Sequence, residues 1–295
     1  MSGRTASASI ATVAELLGIP VPTIRSWERR YGFPSPSRTR GRHRRYTEQE
    51  IEQLRDMRDL ITKGSAPRDA VRALTRSQEG RRHAELMGET VRAALALDRE
   101  AFEGALDRAA NRLGVEEAIR SVVLPAMREL GTSWKAGTCD VEHEHLATHL
   151  VRRWLVGQAA RVGPRPRRNP VVLACGPNDL HTLGLEAFDL MLARRGCPTR
   201  LLGASTPTDS IVSAVRALRA PAAVVTAQRS VTRAGAATAI EALAAIPGVR
   251  AFYAGEAFAI ASRRPVPGTY LGDDVVRAAD VVVAAVVPPT VRARR

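Results

Sequence analysis

Asp179, His181 and Gly184 are the residues of this chain whose types and spacing best suit the holding of a metal. A carboxylate two positions before an imidazole can keep one ring nitrogen as N–H and aim the other outward as a ligand. Gly184 has no Cβ and would let a bulky ligand approach the backbone. A plain polar loop whose histidine caps a helix would use the same residues. The elements that must position them are readable nearby. Pro170-Val171-Val172-Leu173-Ala174-Cys175 is an apolar run ending in Gly176-Pro177, and Leu185 to Leu192 has helical spacing. A buried strand, a polar turn and an amphipathic helix open a doubly wound α/β unit, in which ligands bind beyond the strand's carboxyl end.

A second group is Trp134 with Glu144 and His145. It falls among four helical patterns, near residues 81–97, 99–113, 115–135 and 140–160, whose short links and amphipathic stripes predict a four-helix bundle. Thr138, Cys139 and Asp140 offer a turn and a cap, so all three residues could line one mouth of that bundle. A core tryptophan beside a solvated charged face, where Glu142, His143, Glu144, His145 and His149 crowd together, would read the same way. His145 and His149 at helical spacing supply only two zinc ligands, and no H-E-x-x-H pattern accompanies them.

After the basic linker Pro164-Arg165-Pro166-Arg167-Arg168, strand patterns at 170–175, 199–203, 222–227, 250–254 and 281–286 alternate with helices at 183–195, 208–218, 232–244 and 256–262. That order predicts a five-stranded, flavodoxin-like doubly wound sheet. Small residues end its third and fourth strands, Thr226-Ala227 and Ala254-Gly255, and can open a slot there.

The amino-terminal residues have another chemistry. Thr12, a candidate N-cap, opens a short helix closed by Gly18, and Val21 to Tyr31 forms a second helix after the Ile19-Pro20 turn. A basic hairpin turning near Gly41 follows, and Thr47 caps the next helix. Gly64-Ser65-Ala66-Pro67 and Ser77-Gln78-Glu79-Gly80 read as breaks. Residues 1–47 hold nine Arg against two Glu, a net +7, which is half of the formal +14 of all 295 residues. Such concentration, interleaved with Trp27, Tyr31, Phe33 and Tyr46, predicts a DNA footprint. Trp27 is expected in the core. Forty-two of the 44 basic residues are Arg, and the three cysteines lack metal-ligand spacing and point to a reducing compartment. No spanning segment or signal peptide is read, so a cytoplasmic, nucleoid-associated protein is expected.

Three resemblances join these readings. Thr23-Ile24-Arg25-Ser26-Trp27-Glu28-Arg29-Arg30-Tyr31-Gly32 followed by Arg42-His43-Arg44-Arg45-Tyr46 resembles a MerR-type winged helix. That implies dimeric binding of double-stranded operator DNA through Thr23, Arg25, Arg30, Arg38, Arg42, His43 and Arg44. The D-x-H-x-x-G stretch resembles the lower-ligand motif of cobalamin-binding domains, which makes His181 the cobalt ligand and Asp179 its orienter. Thr226 and Gly255 resemble the positions flanking the cofactor's tail, with Ala254-Gly255 where Gly-Gly is common. Together with Trp134, Glu144 and His145, the chain resembles the CarH/LitR-type adenosylcobalamin-dependent photoreceptor regulators of the MerR family. The resemblance implies three modules: a winged helix at 1–76, a bundle over the cofactor's upper face at 77–163, and a cobalamin domain at 164–295. It also implies a repressor, not an enzyme, that holds DNA in the dark as a homo-oligomer, a dimer or tetramer, and comes apart when light cleaves the Co–C bond. One position departs from the family. Lys135 stands where a His commonly follows the Trp, and a protonated lysine is a poor cobalt ligand. A light-independent cobalamin sensor therefore stays open, as does a corrinoid module of a methyltransferase.

Overall fold

The chain divides at residue 84, with residues 1–84 and 85–295 forming separate units. The structure, a computed structural model, describes residues 7–38, 43–164, 168–259 and 265–286.

In the first unit β1 (Ser7–Ala8) precedes α1 (Ile10–Leu17). The predicted cap Thr12 is inside this helix; Ser9 is the cap, its Oγ accepting the Thr12 N–H at 3.2 Å. Either hydroxyl residue satisfies the chemistry of a cap, and three-residue spacing places Ser9 where the orphan N–H lies. Gly18 closes α1 with φ 64°, the left-handed conformation expected of it. α2 (Val21–Tyr31) carries Pro22 in its first turn and ends at Gly32. The wing pairs β2 (Ser37–Arg38) with β3 (Arg44–Thr47), and β3 also pairs with β1, giving an antiparallel order β1-β3-β2. The wing's turn at Gly41 lies outside the described residues. α3 (Glu48–Thr62) starts with a reciprocal box: Thr47 Oγ1 accepts the Glu50 N–H, and Glu50 accepts the Thr47 N–H at 2.7 Å. Val13, Ile24, Trp27, Tyr46, Leu54 and Met57 form the core, so Trp27 is buried as expected. The predicted break at Ser77–Gly80 is absent, and α4 runs unbroken over Pro67–Leu95. A single interior glycine costs a helix only about 1 kcal/mol, which the surrounding Arg, Gln, Glu and Ala residues offset.

In the second unit one core joins helices to one face of a sheet, and a separate core fills the sheet's other face. α5 (Arg99–Leu113) is capped by Asp98, whose Oδ1 accepts the Ala101 N–H at 2.8 Å. α6 (Val115–Ala118), a π turn (Ile119–Val123) and α7 (Leu124–Lys135) form one continuous helical stretch. Pro125 sits just after the π turn; its ring removes one backbone donor, and a widened turn accommodates that loss. α8 (Val141–Ala160) packs against both α5 and α7. Beyond it lie β4 (Val171–Cys175), α9 (Leu183–Arg194), β5 (Thr199–Gly203), α10 (Thr208–Ala217), β6 (Ala222–Thr226), α11 (Arg233–Ala244), β7 (Arg250–Ala254), β8 (Thr269–Tyr270) and α12 (Val275–Val286). The sheet is parallel, in the order β5-β4-β6-β7-β8, with β4 fully buried.

The doubly wound class is as predicted; the last strand is not. Residues 281–286 belong to α12, and the fifth strand is the two-residue β8. The Val281-Val282-Val283 run carries strand propensity, but Val275, Ala278, Ala279 and Val282 recur at helical spacing and pack on the core. Asp274 fixes the start by accepting the Val276 and Arg277 N–H groups. The helix expected at 256–262 is a single 3₁₀ turn, Glu256–Phe258, while residues 260–264 lie outside the described residues.

Candidate cobalamin site and DNA interface

β4 ends at Cys175, and the chain turns through Gly176 into the loop that carries Asp179 and His181 before α9 begins. A Cβ on Gly176 would stand 2.7 Å from that of Ala236, so only glycine lets the loop lie this close to α11. Asp179 is 1 % exposed, and four donors meet its carboxylate. Oδ1 accepts the His181 N–H at 2.9 Å and His181 Nδ1 at 2.8 Å. Oδ2 accepts the Gln228 N–H and, at 3.3 Å, the Thr232 hydroxyl. Burial alone would raise the carboxyl's pKa, yet the hydrogen bonds from His181 and Gln228 outweigh it and hold it below the usual range. An ionised Asp179 fixes Nδ1 of His181 as the protonated nitrogen. Nε2 then carries the lone pair, on a side chain that is half exposed. Such a nitrogen could ligate a metal.

The surface beside the pair is open. Nothing lies within 4 Å of a Cβ built on Gly184. Leu180 and Val231, which flank the pair in sequence and through Thr232, are both largely exposed. Thr226 at the end of β6 donates to Cys175 Sγ at 3.5 Å, and burial pushes that thiol's pKa up to about 11. Gly255 has φ 106°, and a Cβ there would lie 2.2 Å from the Ala227 carbonyl oxygen. Glycine is thus demanded by the close approach of two chain segments, whatever ligand adjoins them.

Trp134 ends α7 and is 47 % exposed, which excludes the core position that its residue type alone allows. Lys135 beside it is exposed too. Glu144, in the first turns of α8, accepts from Thr148 Oγ1 at 2.8 Å and lies 3.8 Å from His145 Nε2. Asp140, Glu142 and His143 cluster at the same helix start, but His143 Nδ1 is taken up in capping by the Asp140 N–H at 3.2 Å. α8 also packs against α9, the helix that His181 precedes.

In the first unit Arg25, Arg29 and Arg30 are exposed on α2, and Thr23 is half-buried. His43 is exposed before β3; Arg38 is in β2, and Arg42 lies outside the described residues. Arg44 is held rather than free: its Nε pairs with Glu28 Oε2 at 2.5 Å, and Tyr46 donates its hydroxyl to the other oxygen of the same carboxylate. Glu28 thus bolts the wing to α2.

Sequence reasoning missed Gln228 and Thr232. Gln228 acts through its backbone N–H, which nearly every residue carries, so no side-chain pattern could mark it. Among the described residues no helix is long and apolar enough to cross a membrane.

A winged helix on one unit and a corrinoid-type helical and α/β unit beside it in sequence define a DNA-binding, cobalamin-binding transcriptional regulator. Residues 8–77 match the MerR HTH family of regulatory proteins, and residues 88–156 match a B12 binding domain. The chain is 35 % identical over 234 residues to the HTH-type transcriptional repressor CarH of Myxococcus xanthus, covering 74 % of this chain and 77 % of that one. It is 34 % identical over 209 residues to the HTH-type transcriptional repressor CarA of the same organism, covering 70 % and 71 %. The fold resembles the monomethylamine corrinoid protein of Methanosarcina barkeri with a TM-score of 0.53 at 14 % identity, over 68 % of this chain and 98 % of that one. The chain belongs to the CarH-type, B12-binding branch of the MerR family. Its relatives there are regulators, not enzymes.

Proposed function

We propose that this regulator is a repressor that takes adenosylcobalamin as its cobalamin, holds operator DNA as a homo-oligomer and responds to light. Residues 1–76 would bind DNA, 77–163 would cover the cofactor's upper face and 164–295 would hold the lower face. The observation that carries the reading is the His181–Asp179 pair, with Nδ1 tied at 2.8 Å and Nε2 left to ligate. When bound, adenosylcobalamin supplies a cobalt–carbon bond that light can break. Trp134, exposed at the end of α7, offers an indole face to adenine, and Glu144 with His145 takes the polar edge of the adenosyl group. Thr226 and Gly255 line the path of the tail, and Gly184 leaves the backbone open. On the DNA side Thr23, Arg25 and Arg30 face the major groove from α2, while Arg38, Arg42, His43 and Arg44 belong to the wing. The cofactor acts as a ligand with different affinities for two assembly states.

Lys135 favours a second reading, in which the protein senses cobalamin without light, since no histidine follows Trp134. One experiment separates the two. The protein is purified with adenosylcobalamin in darkness, and absorption spectra and sizing are recorded before and after green light. A light-dependent change in both supports the photoreceptor; bound cobalamin with an unaltered assembly supports the sensor. Failure to bind any cobalamin overturns both.

A further inference from the structure

Arg152 lies on α8, in the helical bundle, and its side chain reaches the segment that follows His181. Nη2 donates to Thr182 Oγ1 at 2.6 Å, and Nε pairs with Glu186 Oε1 at 3.1 Å. Thr182 donates in turn to Glu186 Oε1 at 2.6 Å, so the three side chains close a ring. Thr182 is buried, and its carbonyl accepts the Glu186 N–H at 2.8 Å, which seats the ring on the first turn of α9. His181 therefore stands between two anchors. Asp179 ties its imidazole to Gln228 and Thr232 of the α/β layer, whereas the next residue, Thr182, is held from the bundle.

The geometry points to Arg152 as a positioning residue through which the bundle sets the placement of the cobalt ligand; this rests on the cobalamin reading of His181. Making both contacts takes two nitrogens of one planar fork, which lysine lacks. The Arg152–Glu186 pair is partly exposed, and such pairs add little to overall stability. Its consequence is local: a displaced α8 pulls on the residue covalently joined to His181.

The test uses the full-length protein with ¹⁵N-labelled histidine, loaded with cob(II)alamin and read by electron paramagnetic resonance. Ligation by His181 gives a doublet splitting, distinct from the triplet of the cofactor's own ¹⁴N base. Arg152→Met and Thr182→Val are expected to lower the doublet fraction about threefold or more. Thr182→Ser, which restores the hydroxyl, should recover it. Arg153→Met serves as the control, because it removes an equal charge from α8 at a residue paired with Glu103 inside the bundle. An undiminished doublet in Arg152→Met overturns the inference. Absence of the doublet in the unsubstituted protein overturns the ligation reading beneath it, a result distinguishable from the first.

Discussion

Asp179 and His181 are two residues apart and opposite in exposure: the carboxylate is 1 % exposed, while half of the imidazole it holds at 2.8 Å remains open. A buried acceptor thus presents an accessible donor. Because the carboxyl's pKa is depressed on folding, its contribution is present above the usual carboxylate range and is lost as the pH falls through the lowered value.

Replacing Asp179 by alanine should therefore weaken hydroxocobalamin binding at neutral pH by about 10- to 100-fold, the usual cost of losing a ligand's orienting partner. Absorption titration would measure it. Unchanged affinity would show that the imidazole needs no orienter here.

The wing depends on Glu28. Burial first, and the Glu28 carboxylate second, raise the pKa of the Tyr46 hydroxyl. A raised pKa stabilises the fold below the tyrosine's ordinary value of 10.0, and that stabilisation disappears as the pH rises through the raised one. Tyr46→Phe should cost about 1–3 kcal/mol and should flatten the alkaline loss of stability, as followed by denaturant melts across pH.

Gly255→Ala is expected to be among the most damaging single substitutions, by about 3 kcal/mol or more, since it combines a φ of 106° with a contact onto backbone. Gly184→Ala, in open space, should leave stability within about 0.5 kcal/mol and affect only cobalamin affinity. Urea titrations of both variants make the comparison.

Alkylation should separate the cysteines. Cys175 is buried with its thiol raised to about 11, and Cys197 is buried, while Cys139 is partly exposed. Brief iodoacetamide treatment of the native protein at pH 8 should label Cys139 alone, as read by mass spectrometry.

On DNA, Arg25→Ala and Arg30→Ala should each weaken binding. A phosphate contact would reduce the salt slope by about one, and a base contact would cost about 1–3 kcal/mol at one operator position. Binding measured across a salt series assigns each residue.

What the sequence disclosed depended on how local each signal was. The helices of the DNA-binding unit were legible because Gly18, the Ile19-Pro20 turn and Thr47 sit at their ends. The Asp179–His181 pair was legible because its two partners are only two positions apart in sequence. The end of α12 reads as a strand because the Val281-Val282-Val283 run carries β propensity, and the asymmetry of burial that makes it helical arises only in the folded core. Arg152 gave no signal because its partners are thirty or more residues away and share no motif with it.

The π turn at Ile119–Val123 has a consequence for the residue at the far end of its helix. Each residue of an α-helix advances the side-chain direction by about 100°, and a π turn holds about one residue more than an ordinary turn. The facing of Trp134 is therefore a matter of phase, fixed by a residue count near Pro125 as much as by the residues around the indole. Deleting one residue from that turn would restore an ordinary turn and keep the indole on its present side, whereas deleting one from the regular helix after Pro125 would swing the indole by about 100°, like a clock hand moved by one tooth of a distant wheel.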